Sequence, residues 1–234
     1  MTRPPRGARQ SRTQSPLALA DQHWNEAIGS AILKFRTMSA RPPSEQILMN
    51  THDEIGGKAL ILREETAADL SAIATVNQAA FGRPEEALLV DALRAAGVLT
   101  LSLVALADDE VVGHIAFSPV TIAVARGTVA AIGLAPMAVA PAWQRRGVGA
   151  RLIGEGLDRL RTASHRVVVV LGHPGYYPRF GFAPASRFGL RWEQPAADPS
   201  FMALELVPGT LAGLGVGVGV GGIVRFHPEF AAVS

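Results

Sequence analysis

A mixed α/β (α+β) domain is predicted by the order in which strand and helix patterns follow one another: β, α, α, β, β, β, α, β, α, β, β. A doubly wound nucleotide fold would alternate strictly, whereas the middle of this chain reads as three successive strands. Two further observations agree. Apolar residues make up 48% of the 234, enough to bury a substantial core. A long helical pattern over Gly147–Ala163 is followed at once by an almost purely β-branched run, Arg166–Leu171, which suggests a strand buried on both faces.

The first strand is expected at Ala59–Arg63. From Thr66 to Ala80, Leu70, Ile73, Ala74 and Val76 recur at helical spacing, and Asp69 falls in the first turn. Pro84 opens a second helix, followed by Glu85 and Glu86, an apolar face of Leu88, Leu89 and Leu93, and Gly97 as the stop. Thr100–Ala107 and Val111–Ser118 read as an antiparallel pair joined by a tight turn at Asp108-Asp109-Glu110. Thr128–Val139 is a further strand. Gly133 and Pro136 interrupt it, and because proline cannot donate to a ladder, a bulge or distortion is expected near its middle. The helix over Gly147–Ala163 carries Leu152, Ile153, Leu157 and Leu160 on one side. After Arg166–Leu171, a short helix through Tyr176–Phe180 and strands near Ala183–Phe188 and Met202–Val207 complete the core. Residues 211–222 (LAGLGVGVGVGG) read as a flexible loop before a last strand, Ile223–His227. That strand and its Gly/Val loop are the candidate surface for a homodimer.

Residues 1–58 stand apart. They are rich in Arg, Pro, Ser and Gln, and eight Lys/Arg face five acids, a balance of +3. Burial in such a segment cannot offset its ordering entropy, so it is expected to be a flexible basic tail, with the folded domain at 59–234. Met38 and Met49 both precede the first strand and leave a start downstream of residue 1 open. In the rest of the chain fourteen Arg meet fifteen acids, so no nucleic-acid surface is indicated. No apolar run reaches the roughly 18 residues of a membrane span. Cysteine is absent, which excludes disulfides and thiolate chemistry and fits a reducing, cytoplasmic setting. The six histidines show no metal-ligand spacing, and no serine sits in a G-x-S-x-G elbow, so neither a metal site nor a hydrolase is expected.

The stretch that carries chemistry is Met137–Leu152, MAVAPAWQRRGVGARL. A strand ends at Val139, a turn passes Pro141, and a helix begins near Gly147. Gly147 and Gly149 have no side chains to keep an anion from the backbone, and the amides and positive dipole end of the helix favour phosphate oxygens. Arg145 and Arg146 add charge. The chemistry is that of a phosphate or pyrophosphate cradle. It is neither a Walker A loop nor a G-x-G-x-x-G fingerprint, because no Gly-Lys-Ser/Thr occurs and Leu152 occupies the third glycine's place.

Gln144-Arg145-Arg146-Gly147-Val148-Gly149 resembles the Q/R-x-x-G-x-G/A pyrophosphate loop of the GNAT N-acetyltransferase superfamily. Residues Val112–Pro119, Leu134–Val139 and Gly172–Phe182 are similar to its YhbS-like branch, and the resemblance covers roughly 59–234 in the expected order. It implies a splayed, mostly antiparallel mixed central sheet flanked by helices, and transfer of acetyl from acetyl-CoA to a primary amine of a small molecule or peptide in a ternary complex. It further implies that Met137, Ala138 and Val139 meet the pantetheine arm through main-chain groups and that Gln144, Arg145, Arg146, Gly147, Val148, Gly149 and Ala150 hold the pyrophosphate. Tyr177 matches the tyrosine that protonates the departing thiolate, with Tyr176 as the less favoured neighbour. Many relatives carry a glutamate base on the strand that corresponds to Ala131–Val139, and here that stretch contains no acid. His173 is the first candidate to replace it, His114 the second, and an amine that arrives uncharged needs neither. The missing acid also keeps an alternative in view, an inactive acyl-CoA-binding module of the same fold.

Overall fold

The computed structural model describes residues 54–55, 58–125, 127–194, 198–213 and 221–232. Nearly all of the basic segment, and the Gly/Val run at 214–220, therefore lie outside the described residues. Pairing begins inside the segment assigned to the tail: β1 (Glu54–Ile55) forms a hairpin with β2 (Lys58–Glu64), matching Glu54 with Ala59. Next come a 3-10 turn (Ala67–Asp69), α1 (Leu70–Phe81) and α2 (Glu85–Ala95). Asp69 anchors this start. Its carboxylate takes the Thr66 N–H at 2.7 Å and both Arg63 guanidinium nitrogens at 2.6 and 2.8 Å. Pro84 is the N-cap of α2 rather than its first residue.

Strands β3 (Leu101–Ala107) and β4 (Glu110–Val124) follow. Asp108 and Asp109 join them with φ of 49° and 64°, the two left-handed central residues of a tight hairpin turn whose twist suits the strands. β4 continues past Ser118, where the sequence pattern had ended it, because Pro119 does no harm there. The carbonyl of Phe117 accepts from Thr100, so the missing N–H of Pro119, two residues on, faces the same side. There β3 has ended at Phe117 and β10 (Gly222–Arg225) takes over only at Thr121, so no strand asks for that donor.

β5 (Gly127–Val139) leads through a 3-10 turn (Pro141–Trp143) to α3 (Val148–Thr162) and then β6 (Val167–Leu171). The sheet runs β1-β2-β3-β4-β5-β6-β9-β7, where β7 is Ala183–Pro184 and β9 is Phe201–Glu205; β10 pairs with β4 and with β8 (Leu190–Trp192). Among the described strands only β5/β6 and β8/β10 are parallel. The stretch expected as a strand over Ala183–Phe188 divides into β7 and a 3-10 turn, and β8 had no sequence signal. Short helices α4 (Thr210–Gly213) and α5 (Glu229–Ala232) complete the chain, with Phe230 of α5 packed on Leu89 and Leu93 of α2.

Alternation along the strands divides the core between the two sheet faces. Leu103, Ile115 and Phe117 pack with Leu152, Ile153 and Leu157 of α3. The contact is close: a Cβ on Gly156 would lie 2.5 Å from the Phe117 ring. On the opposite face Ile73 of α1 and Val90 of α2 pack on Val104 and Leu106, and α1 crosses both β4 and β5.

Candidate active site

The expected distortion of β5 is present. Ile115 pairs with Met137 but Phe117 pairs with Leu134, so β5 carries one extra residue beside Pro136. On its other edge β5 matches β6 only from Ile132↔Val168 to Leu134↔Val170, and beyond that the two strands part. The end of β5 therefore has a partner on one side and a gap on the other. Ala140 donates to the Val112 carbonyl, which fixes the phase of the ladder: Ala138 and Ala140 turn their main-chain groups to β4, while Met137 and Val139 turn theirs to the gap. Ala138, expected to offer a main-chain contact to a ligand, is thus committed to the sheet opposite His114.

Past the 3-10 turn, Gln144 folds back so that Nε2 donates to the Val139 carbonyl at 3.0 Å. Its amide holds the loop against the strand. Arg145 and Gly147 are left-handed, with φ of 62° and 93°. Both are exposed, as is Arg146, whose guanidinium lies 5.6 Å from the Trp143 ring centroid. Nothing lies within 4 Å of where a Gly147 Cβ would stand, so the backbone ahead of the first amides of α3 is open to an anion. The residues present fit a pyrophosphate there.

Gly149 has a different reason to be glycine. It is buried, and a Cβ would meet the Tyr176 hydroxyl at 2.9 Å and the Met137 sulfur at 3.2 Å. That convergence joins the end of β5, the start of α3 and the tyrosine turn. Arg179 lies 4.6 Å above the Tyr176 ring. Burial pushes the Tyr176 phenol up to about 12, against a smaller pull from Arg179.

Tyr177 is one ring further in, edge-to-face with Tyr176 at 5.4 Å and with Phe182 at 5.7 Å. Its ring occupies the space that a side chain on Gly172 would need, 2.2 Å from the Cβ position, and it is only 8% exposed. Burial holds its phenol above the ordinary value, so it stays protonated and able to donate. His173, the first candidate base, spends the lone pair of Nδ1 on the Gly175 N–H at 3.0 Å. A neutral ring then carries its proton on Nε2 and presents a donor where a base needs an acceptor.

His114, the second candidate, is fully buried. Nδ2 of Asn77 donates to the Ile73 carbonyl at 2.9 Å and lies 3.1 Å from Nδ1 of His114. With Nδ1 accepting, Nε2–H donates to Ser102 Oγ at 3.0 Å, and the Ser102 hydroxyl donates to Glu65 Oε2 at 2.5 Å. Glu65 in turn grips Arg94 at 2.8 and 3.0 Å. Burial lowers the His114 pKa to about 4, outweighing the attraction of Glu65. Burial opposes ionisation of Glu65 as well, but Arg94 and Ser102 hold its carboxyl below the usual value. His114 is therefore a neutral part of a network and has no free lone pair for an incoming proton. Sequence reasoning missed Asn77, Ser102, Glu65 and Arg94, which lie on four separate segments and form no motif.

The acetyltransferase (GNAT) domain family matches residues 62–185. The chain is 36% identical to the N-acetyltransferase YhbS of Escherichia coli K12 over 172 residues, covering 73% of this chain and 98% of that one. The crystal structure of E. coli YhbS in complex with CoA superposes with a TM-score of 0.66 at 33% identity, over 80% of this chain and 96% of that one. A GNAT acetyltransferase of Brucella melitensis in complex with acetyl-CoA gives 0.58 at 40% identity, over 73% and 97%.

Proposed function

The chain belongs to the GNAT acetyltransferase family and is an acyltransferase; from that premise we propose that it carries acetyl from acetyl-CoA to a primary amine by direct attack within a ternary complex. The observation that carries the reading is the continuity of two features: the gap-facing backbone of Met137 and Val139, where Gln144 takes the Val139 carbonyl and leaves its N–H, and the left-handed turn at Gly147 that leads into α3. Met137 and Val139 receive the pantetheine arm as an added strand. The first amides of α3, with Arg145 and Arg146 beside them, hold the pyrophosphate. The YhbS and Brucella structures, with CoA and acetyl-CoA, support that cosubstrate.

Tyr177 supplies the proton that the departing thiolate needs, and Tyr176, reaching Gly149, closes the wall beside it. No side chain between Gly127 and Val139 is acidic, and both candidate histidines have their Nδ1 lone pairs engaged. The amine accordingly attacks the thioester carbonyl in its uncharged form, with orientation supplying much of the acceleration. Calorimetric titration of acetyl-CoA into the full chain, followed by thiol release and mass spectrometry over a panel of primary amines, tests the proposal. Heat of binding with thiol release supports it. Binding without acetylated product in any arm would favour the inactive binding module, and no heat at all would remove the site.

A further inference from the structure

On the sheet face opposite α3, two buried polar atoms have no hydrogen-bond partner among the described residues: Oδ1 of Asn77 and Oγ of Ser118. Both residues are fully buried. Asn77 sits over His114, and Ser118 is four residues further along β4, so the two strand residues share one face with Ala116 between them. Ala116 has no partner in β5 because it lies opposite the bulge. The two orphaned atoms thus flank the place where β5 and β6 separate. His114 is itself the register partner of Ala138, whose neighbours Met137 and Val139 face the gap.

The Asn77 carboxamide is held firmly. Both of its N–H groups are spent, on Ile73 and on His114, and the histidine is fixed from behind by Ser102, Glu65 and Arg94. The oxygen is left as the one unpartnered hydrogen-bonding atom of the side chain. Leaving such an atom buried without a partner forfeits its hydration with nothing in return. The network is thus built to present an acceptor.

We propose that the layer between α1 and β4–β5 receives the acceptor amine, with Asn77 Oδ1 taking one of its N–H bonds and Ser118 Oγ standing by as a second polar contact. His114 is a positioning residue that aims Asn77. The proposal rests on the acetyl-transfer reading and deepens it: the amine enters from the side of the sheet opposite α3 and is recognised as a donor by a neutral carbonyl oxygen. Asn77 offers an acceptor and no spare donor, so it reads the amine end of the ligand, and the class proposed is a simple primary amine.

The test uses the isotope-labelled full chain with CoA bound, its affinity measured first by calorimetry. n-Propylamine, putrescine and phenethylamine are then titrated while the Asn77 carboxamide resonances are followed, with glycine as the zwitterionic control. A saturable shift with at least one amine, and none with glycine, is expected. Asn77→Leu and Ser118→Ala should each weaken that amine's binding, Asn77→Leu by roughly five- to tenfold, what one neutral hydrogen bond is worth, with CoA affinity unchanged. His114→Gln, which keeps an acceptor for Asn77, should retain the shift, and His114→Leu should lose it; equal behaviour of the two would remove the positioning role. If the melting curve of a variant shows it unfolded, the wild-type titration still decides. CoA bound with Asn77 resonances unmoved by every amine overturns this assignment alone and leaves the two atoms to ordered water. Failure of CoA to bind overturns the acetyl-transfer reading, and this assignment with it.

Discussion

On the α3 face of β5, Met137, Gly149 and the Gly147 turn are joined by a short stretch of chain, and local geometry brings them together. On the α1 face, Ala138 lies beside His114, whose partners come from after β2 (Glu65), α1 (Asn77), α2 (Arg94) and β3 (Ser102). The first face is a turn with open backbone; the second is a closed network that ends in one unsatisfied oxygen. The difference separates two tasks. A charged, extended ligand can be held by exposed amides on one segment, whereas a buried neutral contact needs side chains pinned from several directions at once.

The sharpest way to break the comparison is Gly147→Asp. A left-handed φ of 93° resists any β-carbon, and the new carboxylate faces the incoming phosphates; acetyl-CoA affinity should fall by at least ~100-fold, read by calorimetry, with the His114 network intact. Next comes Tyr177→Phe. Turnover should drop on the order of 100-fold, the lower end for a lost general acid, with CoA affinity within about twofold. Equal turnover would sink the acid assignment. Gly172→Ala, which pushes a methyl into the Tyr177 ring, should lower turnover without removing a hydroxyl, and the pair together tells position from chemistry.

Acid titration probes the other face. The folded His114 pKa is about 4 against an ordinary 6.5, so the unfolded chain binds the extra proton between those values. Stability is therefore full above about 6.5, falls as pH drops towards 4, and loses about 3 kcal/mol from this group over that window. Asp69, held far below its ordinary value chiefly by Arg63, adds a loss of the same sign at lower pH. Denaturant melts at pH 7, 5.5 and 4.5 read this out; a flat profile across them would mean that His114 is not buried neutral. The smallest effect is expected from Ser102→Ala, about 1–2 kcal/mol, because His114 Nε2–H loses its partner while Glu65 keeps Arg94.

Much of this is legible in the order of the amino acids alone. The helix at Val148–Thr162 follows from Leu152, Ile153, Leu157 and Leu160 recurring at helical spacing, and the bulge from Gly133 and Pro136 inside an apolar run. The glycine turn proposed for the phosphates was readable for the same reason, since binding by backbone needs only glycines and a helix start in one stretch of chain. β8, the split of Ala183–Phe188 and the early pairing at Glu54 were not, because strands of two or three residues exist only through the neighbour that supplies their hydrogen bonds.

Sequence by itself determined the family resemblance, the order of the main elements and the glycine turn ahead of α3. Only the tertiary structure decided which of Met137, Ala138 and Val139 face the gap, that Gly149 is small to admit the Tyr176 hydroxyl, and that His173 and His114 have no lone pair to spare. Periodicity and backbone-binding motifs are local properties of a chain. Ladder phase, the close approach of side chains and the partners of a buried imidazole are set by residues far apart in sequence, and they take their values only when the sheet is assembled.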